Sequence, residues 1–79
     1  AQHQGIDMMG KHGEPIYASG SGIVTTAGRM AGYGNMVEIS HGTGVDTRYA
    51  HMARLLVKPG ERVRQGQVIG NVGSSGMST

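Results

Sequence analysis

Cysteine, phenylalanine and tryptophan are absent from this 79-residue sequence, and its only aromatic side chains are Tyr17, Tyr33 and Tyr49. Without cysteine there is no disulfide to staple a small core and no thiolate to act as nucleophile or metal ligand. The core must therefore be aliphatic. Long apolar runs are missing too: the longest, such as Leu55-Leu56-Val57, have three residues, against about 20 for a membrane-spanning helix. No transmembrane segment is expected. No basic stretch leading into an apolar run opens the sequence, so no signal peptide is read from it. Charge of either sign is sparse. Seven Lys+Arg against five Asp+Glu leave a formal +2, too small and too scattered for nucleic acid, and three tyrosines make few stacking platforms. No nucleic-acid partner is expected, although mild basicity favours anionic surfaces.

Glycine is abundant, with 15 of the 79 positions, more than twice the usual share of roughly 7%. There is no Gly-X-Y period, which excludes collagen. Between the glycines lie short segments of alternating character, the pattern of half-buried strands. They are Ile23-Val24-Thr25-Thr26-Ala27, Met36-Val37-Glu38-Ile39-Ser40, Thr47-Arg48-Tyr49-Ala50-His51 and Gln67-Val68-Ile69. Simple alternation places Thr47, Tyr49 and His51 on one face. Only residues 52–57 have helical character, and Pro59-Gly60 stops it within two turns. The expected fold is all-β, in one small domain. An internal echo adds detail: Gly13-Glu14-Pro15-Ile16 and Gly60-Glu61-Arg62-Val63 each lead to a second glycine and an apolar pair. Two related hairpin units folded against each other in a small sandwich would produce it.

The residues with chemical potential are His3, Asp7, His12, His41, His51 and Glu38. His3 and Asp7 put an imidazole and a carboxylate four positions apart, on the same side of a strand but about 13 Å apart if it is straight. A kink at Gly5 would bring both to one Zn²⁺, for which imidazole and carboxylate are natural ligands. The same H-x-x-x-D spacing also arises by chance. His51 reads either as a functional imidazole or as a hydrogen-bonded histidine at a strand end. His41, at a strand-to-turn junction, suits side chain-to-backbone hydrogen bonding, His12 suits a solvated turn, and Glu38 a solvent-facing strand position. No nucleophile elbow surrounds any serine. Gly20-Ser21-Gly22 and Gly32-Tyr33-Gly34 lack the Gly-Lys-Ser/Thr of a phosphate loop and read as hairpins.

Taken in order, these segments resemble the lysostaphin-like (LytM-type) zinc metallopeptidases that cut bacterial peptidoglycan. His3-Gln4-Gly5-Ile6-Asp7 is similar to the family's H-x-G-x-D metal motif. Gly13-Glu14-Pro15-Ile16-Tyr17-Ala18 with Gly22-Ile23-Val24 resembles its G-x-P-V-x-A…G-x-V segment. Gly32-Tyr33-Gly34-Asn35-Met36-Val37-Glu38-Ile39-Ser40-His41-Gly42 and Thr47-Arg48-Tyr49-Ala50-His51-Met52 resemble G-Y-G-N-x-V-x-I-x-H-G and T-x-Y-x-H-L. The stretches from Val57 to Gly70 and from Gly73 to Thr79 resemble V-x-x-G-x-x-V-x-x-G-x-x-I-G and G-S-T-G-x-S-T. The likeness covers nearly the whole chain.

The resemblance implies a β-sandwich of the duplicated hybrid motif type, with His3 and Asp7 as two of three protein ligands to a catalytic Zn²⁺ and His51 as a catalytic histidine beside it. It implies peptidoglycan peptides as substrate and an extracytoplasmic location, periplasm or cell wall. In the family, a G-P-H-x-H segment follows the Ser-Thr run, carrying a further catalytic histidine and the third ligand. The sequence stops at Thr79 before any such segment, so residues 1–79 are expected to form a partial domain, incomplete at the C-terminal end. Two ligands hold zinc weakly, so these 79 residues alone are expected to be nearly inactive. They are also expected to have an open sheet edge that can pair with another chain. Two other classes stand against the enzyme: a noncatalytic LytM-like module that activates another cell-wall hydrolase, which would lack the zinc ligands, and a biotinyl- or lipoyl-type carrier. Lys11 and Lys58 lack the exposed hairpin-tip setting that a carrier needs.

Overall fold

Frequent glycines and short alternating segments give the chain strands and tight turns rather than helices. The computed structural model describes the backbone of residues 2–6 and 10–73 and the side chains of residues 10–73. Among the described residues seven strands succeed one another: β1 (Gln2–Ile6), β2 (Pro15–Tyr17), β3 (Gly22–Met30), β4 (Gly34–Ser40), β5 (Val45–Leu55), β6 (Arg62–Val63) and β7 (Val68–Val72). The all-β expectation holds. Residues 52–55, which had some helical character in sequence, continue β5 instead, because β4 and β7 flank them and take up their backbone hydrogen bonds. No helix among the described residues is long and apolar enough to cross a membrane.

The strands form one sheet in the order β2-β7-β5-β4-β3-β6, with β1 added in parallel along β5. The other ladders are antiparallel. β5 is the axis of the molecule: β4 lies on one side, while β1 and β7 share the other, β1 against residues 45–49 and β7 against residues 52–55. The path ends in strands of three and two residues, β2 and β6. Such short edges present little unpaired backbone to another chain.

The sheet curls over one aliphatic core. Ile16, Ala18, Val24, Val37, Ile39, Tyr49, Met52, Val57, Val63, Ile69 and Val72 are all buried in one cluster. Residues from both ends of the strand order therefore meet, which makes the arrangement sandwich-like. Each fully buried Val or Ile contributes about 1.5–3 kcal/mol. Tyr49 is the one aromatic in this cluster and is 0% exposed. Its hydroxyl must be satisfied inside: the Ser19 N–H donates to it at 2.9 Å, Ser19 Oγ lies at 2.9 Å, and Thr47 Oγ1 at 3.1 Å.

The internal echo corresponds to a repeated turn. Lys11–Glu14 and Lys58–Glu61 are four-residue turns in which the first N–H donates to the last residue's carboxylate, at 2.7 and 3.1 Å. In each, the last N–H donates back to the first carbonyl. The third residue is glycine in the left-handed region, Gly13 at φ 90° and Gly60 at φ 89°, a conformation that costs other residues about 1–2 kcal/mol. A third copy, with no acidic residue to mark it in the sequence, is Arg64–Gln67, with Gly66 at φ 84° and the Gln67 amide oxygen replacing the carboxylate. Each turn also clasps one buried residue. The glycine N–H donates to that residue's carbonyl, and its N–H donates to the carbonyl of the turn's last residue. The three clasped residues are Val72, Val24 and Ala18. The pattern binds turns to strands distant in sequence and pulls the two halves of the sheet over the core.

Candidate functional site

The expected alternation along β5 fails at His51. Thr47 and Tyr49 are buried, but the next buried residue is Met52. Against β4, Val37 pairs with Tyr49 and Asn35 with Met52, so two residues of β4 span three of β5. The extra residue makes a β-bulge. His51 carries it at φ 56°, the only described non-glycine residue with positive φ. The expectation that His51 shares a face with Thr47 and Tyr49 is therefore corrected: the bulge shifts the phase, and Met52 takes the inward position.

A left-handed imidazole-bearing residue costs about 1–3 kcal/mol and persists only when its surroundings fix it. The His51 N–H donates to the Tyr33 carbonyl at 2.7 Å, and the His51 carbonyl accepts from the Gly73 N–H at 3.1 Å. Gly73 lies so close that a Cβ there would run into the His51 carbonyl and the Ala53 amide. The Asn35 side-chain amide donates to the Met52 carbonyl at 3.0 Å, closing the bulge from β4. Bulges of this kind re-aim a side chain out of the sheet's alternation, and the His51 side chain is half-buried.

The turn that supplies the Tyr33 carbonyl is braced in its own right. Arg48 lies over the Tyr33 ring at 5.8 Å from its centroid and donates to the Tyr33 hydroxyl at 3.3 Å. Its Nε donates to Glu38 Oε2 at 2.8 Å. The hydrogen bond to Glu38 is the main reason the guanidinium holds its proton even more firmly than an ordinary arginine. Glu38 was expected to face solvent. It is half-buried instead, because the β4–β5 register sets it opposite Arg48 and Thr25 Oγ1 donates to its carboxylate at 3.1 Å.

At the other end of β5, His41 behaves as the sequence suggested and goes further. Its Nδ1 lies 2.8 Å from the Ser21 carbonyl, which can only accept, and its Nε2 lies 2.8 Å from Thr47 Oγ1. His41 thus extends the Tyr49 network to the surface.

The remaining expected site residues lie at the amino end. The backbone of His3 sits in β1 opposite Asp46, and the ladder runs through Gly5 without a register shift. β1 runs toward His51, ending with Ile6 opposite Tyr49, but its register leaves His3 five positions short of His51, about 16 Å of strand. Asp7 lies outside the described residues. Among the described residues no three His, Asp or Glu side chains are grouped to hold a metal. The donors themselves, an imidazole at His3 and a carboxylate at Asp7, are the types that zinc accepts.

The structure is thus a curled, mainly antiparallel sheet with a histidine pinned in a strand bulge. The chain belongs to Peptidase family M23, whose model matches residues 1–79. It is 49% identical over 77 residues to the DD-carboxypeptidase/endopeptidase Mpg of Neisseria meningitidis, a match covering 98% of this chain and 18% of that protein. Among solved structures it is similar to Helicobacter pylori Csd3, with a TM-score of 0.79 and 43% identity over 84% of this chain and 19% of the other. It is also similar to the solution structure of lysostaphin, with a TM-score of 0.74 and 38% identity over 86% and 29%. Relatives named as a peptidoglycan endopeptidase and as a lipoprotein also match. The chain spans less than a fifth of the length of the first curated relatives it matches.

Proposed function

We propose that this chain is the catalytic part of a zinc-dependent peptidoglycan endopeptidase of the bacterial envelope, cutting cross-bridge or stem peptides outside the cytoplasmic membrane. The observation that carries the reading is His51, held in a strained conformation by hydrogen bonds at both its N–H and its carbonyl in a chain of a peptidase family. Strain that is fixed from two sides at a titratable side chain points to function. Relatives named as peptidoglycan endopeptidases, one of them 44% identical to this chain, support the substrate class. Relatives named as lipoproteins support the envelope location. Nothing in the described residues favours the noncatalytic module over this reading.

In this proposal His3 and Asp7 are protein ligands to the zinc. When bound, the ion supplies Lewis acidity that lowers the pKa of coordinated water toward 7. His51 holds or accepts the proton of the attacking water at its imidazole, the usual work of a general base. Gly73, Tyr33 and Asn35 keep His51 from relaxing into the strand's ordinary alternation. Because the β1 register leaves His3 away from His51, the metal role of His3 is the part most sharply exposed to test. Zinc content of the full-length protein is the measurement: His3→Ala should lose most of it, and equal content in both would remove His3 from the ligand set.

A further inference from the structure

At the end of β5 away from His51 lies a cleft of about 600 Å³. It is lined by Ser21, Ile23, His41, Arg62, Arg64 and Gln67, with glycine and Val63 backbone between them. Arg62 lies in β6 and Arg64 opens the Arg64–Gln67 turn, and both are exposed on either side of buried Val63. Neither guanidinium has an ion-pair partner among the described residues, where the recorded salt bridge is Arg48–Glu38. Glu61, the acid next in sequence, is already engaged by the Lys58 N–H. The Gln67 amide oxygen accepts from the Arg64 N–H, which leaves its NH₂ group available to donate. Ile23, 42% exposed, supplies an apolar wall.

We propose that this cleft is an exosite for an extended acidic peptide, with carboxylates on Arg62 and Arg64 and an aliphatic portion against Ile23. Guanidinium groups bind carboxylates through paired N–H donors, and the apolar wall beside them suits a peptide better than a bare phosphate chain. β6 closes the strand path with only two residues, so side-chain contacts to the guanidinium groups rather than an edge ladder would hold the peptide. His41 touches Thr47, four positions from His51, so the cleft stands about 13 Å or more along the strand from the proposed catalytic histidine. A peptide held there lies outside the reacting bond and would be a second stem of the same polymer. That last point rests on the proposed substrate, whereas the binding itself does not.

The test is binding to the full-length protein of a labelled synthetic peptide with two free carboxylates, beside the same peptide with both amidated. The double variant Arg62→Gln/Arg64→Gln should bind the acidic peptide about 10-fold more weakly at low salt. Amidation should weaken binding to the unaltered protein by a similar factor, and amide signals of residues 62–67 should shift on titration. Cleavage of a short substrate confined to the His51 end should be unchanged in the variant, which separates failure of the exosite from failure of the peptidase reading. Equal affinity of the variant, equal affinity of the amidated peptide, or preferential displacement by a polyphosphate chain would each overturn the proposal.

Discussion

The three glycine turns and the His51 bulge are both departures from regular strand, yet they solve opposite problems. At the turns, a left-handed conformation is given to Gly13, Gly60 and Gly66, where it costs nothing sterically, and the motif is repeated with the same hydrogen bonds. At the bulge, a left-handed conformation is imposed on a histidine and paid for by Tyr33, Asn35 and Gly73. A residue chosen for backbone economy marks scaffold. A residue held against its preference marks function.

This contrast can be broken at several points. The largest expected effect on stability is at the shared core: Tyr49→Phe leaves the Ser19 N–H without its acceptor and the Thr47 hydroxyl with His41 alone and should cost about 1–3 kcal/mol, read as a lower denaturant midpoint. Next, Gly60→Ala meets no atom within 4 Å, so backbone strain alone should lower stability by about 1–2 kcal/mol, and Gly13→Ala should match it. His51→Gly should do the reverse. It relieves the strain and should leave stability unchanged or raise it by up to about 1 kcal/mol, measured by the same unfolding titration, while abolishing hydrolysis. If His51→Gly instead destabilised as much as Gly60→Ala, the bulge would be ordinary scaffold.

Much of the scaffold was legible in the residues. Alternation and glycine spacing marked four of the strands, and the Gly-Glu echo marked two of the three repeated turns. The Arg64–Gln67 copy escaped because glutamine replaces the acid, although its amide oxygen accepts the same hydrogen bond. The site was less legible. His51 stood out by its motif, but its bulge has no composition of its own. The one signal was Met52, an apolar residue out of phase after Thr47 and Tyr49. Glu38 looked solvent-facing because strand alternation says nothing about what a neighbouring strand brings opposite, and the β4–β5 register brings Arg48. His3 and Asp7 were marked by family likeness rather than by spacing, and their approach to a metal remains a proposal.

Peptidoglycan hydrolysis by full-length His51→Ala protein, with its zinc content measured on the same sample, tests the account most directly. It predicts unchanged zinc with hydrolysis reduced about 10²–10⁴-fold, the usual contribution of a positioned acid or base. Hydrolysis at the unaltered rate with full zinc would contradict it.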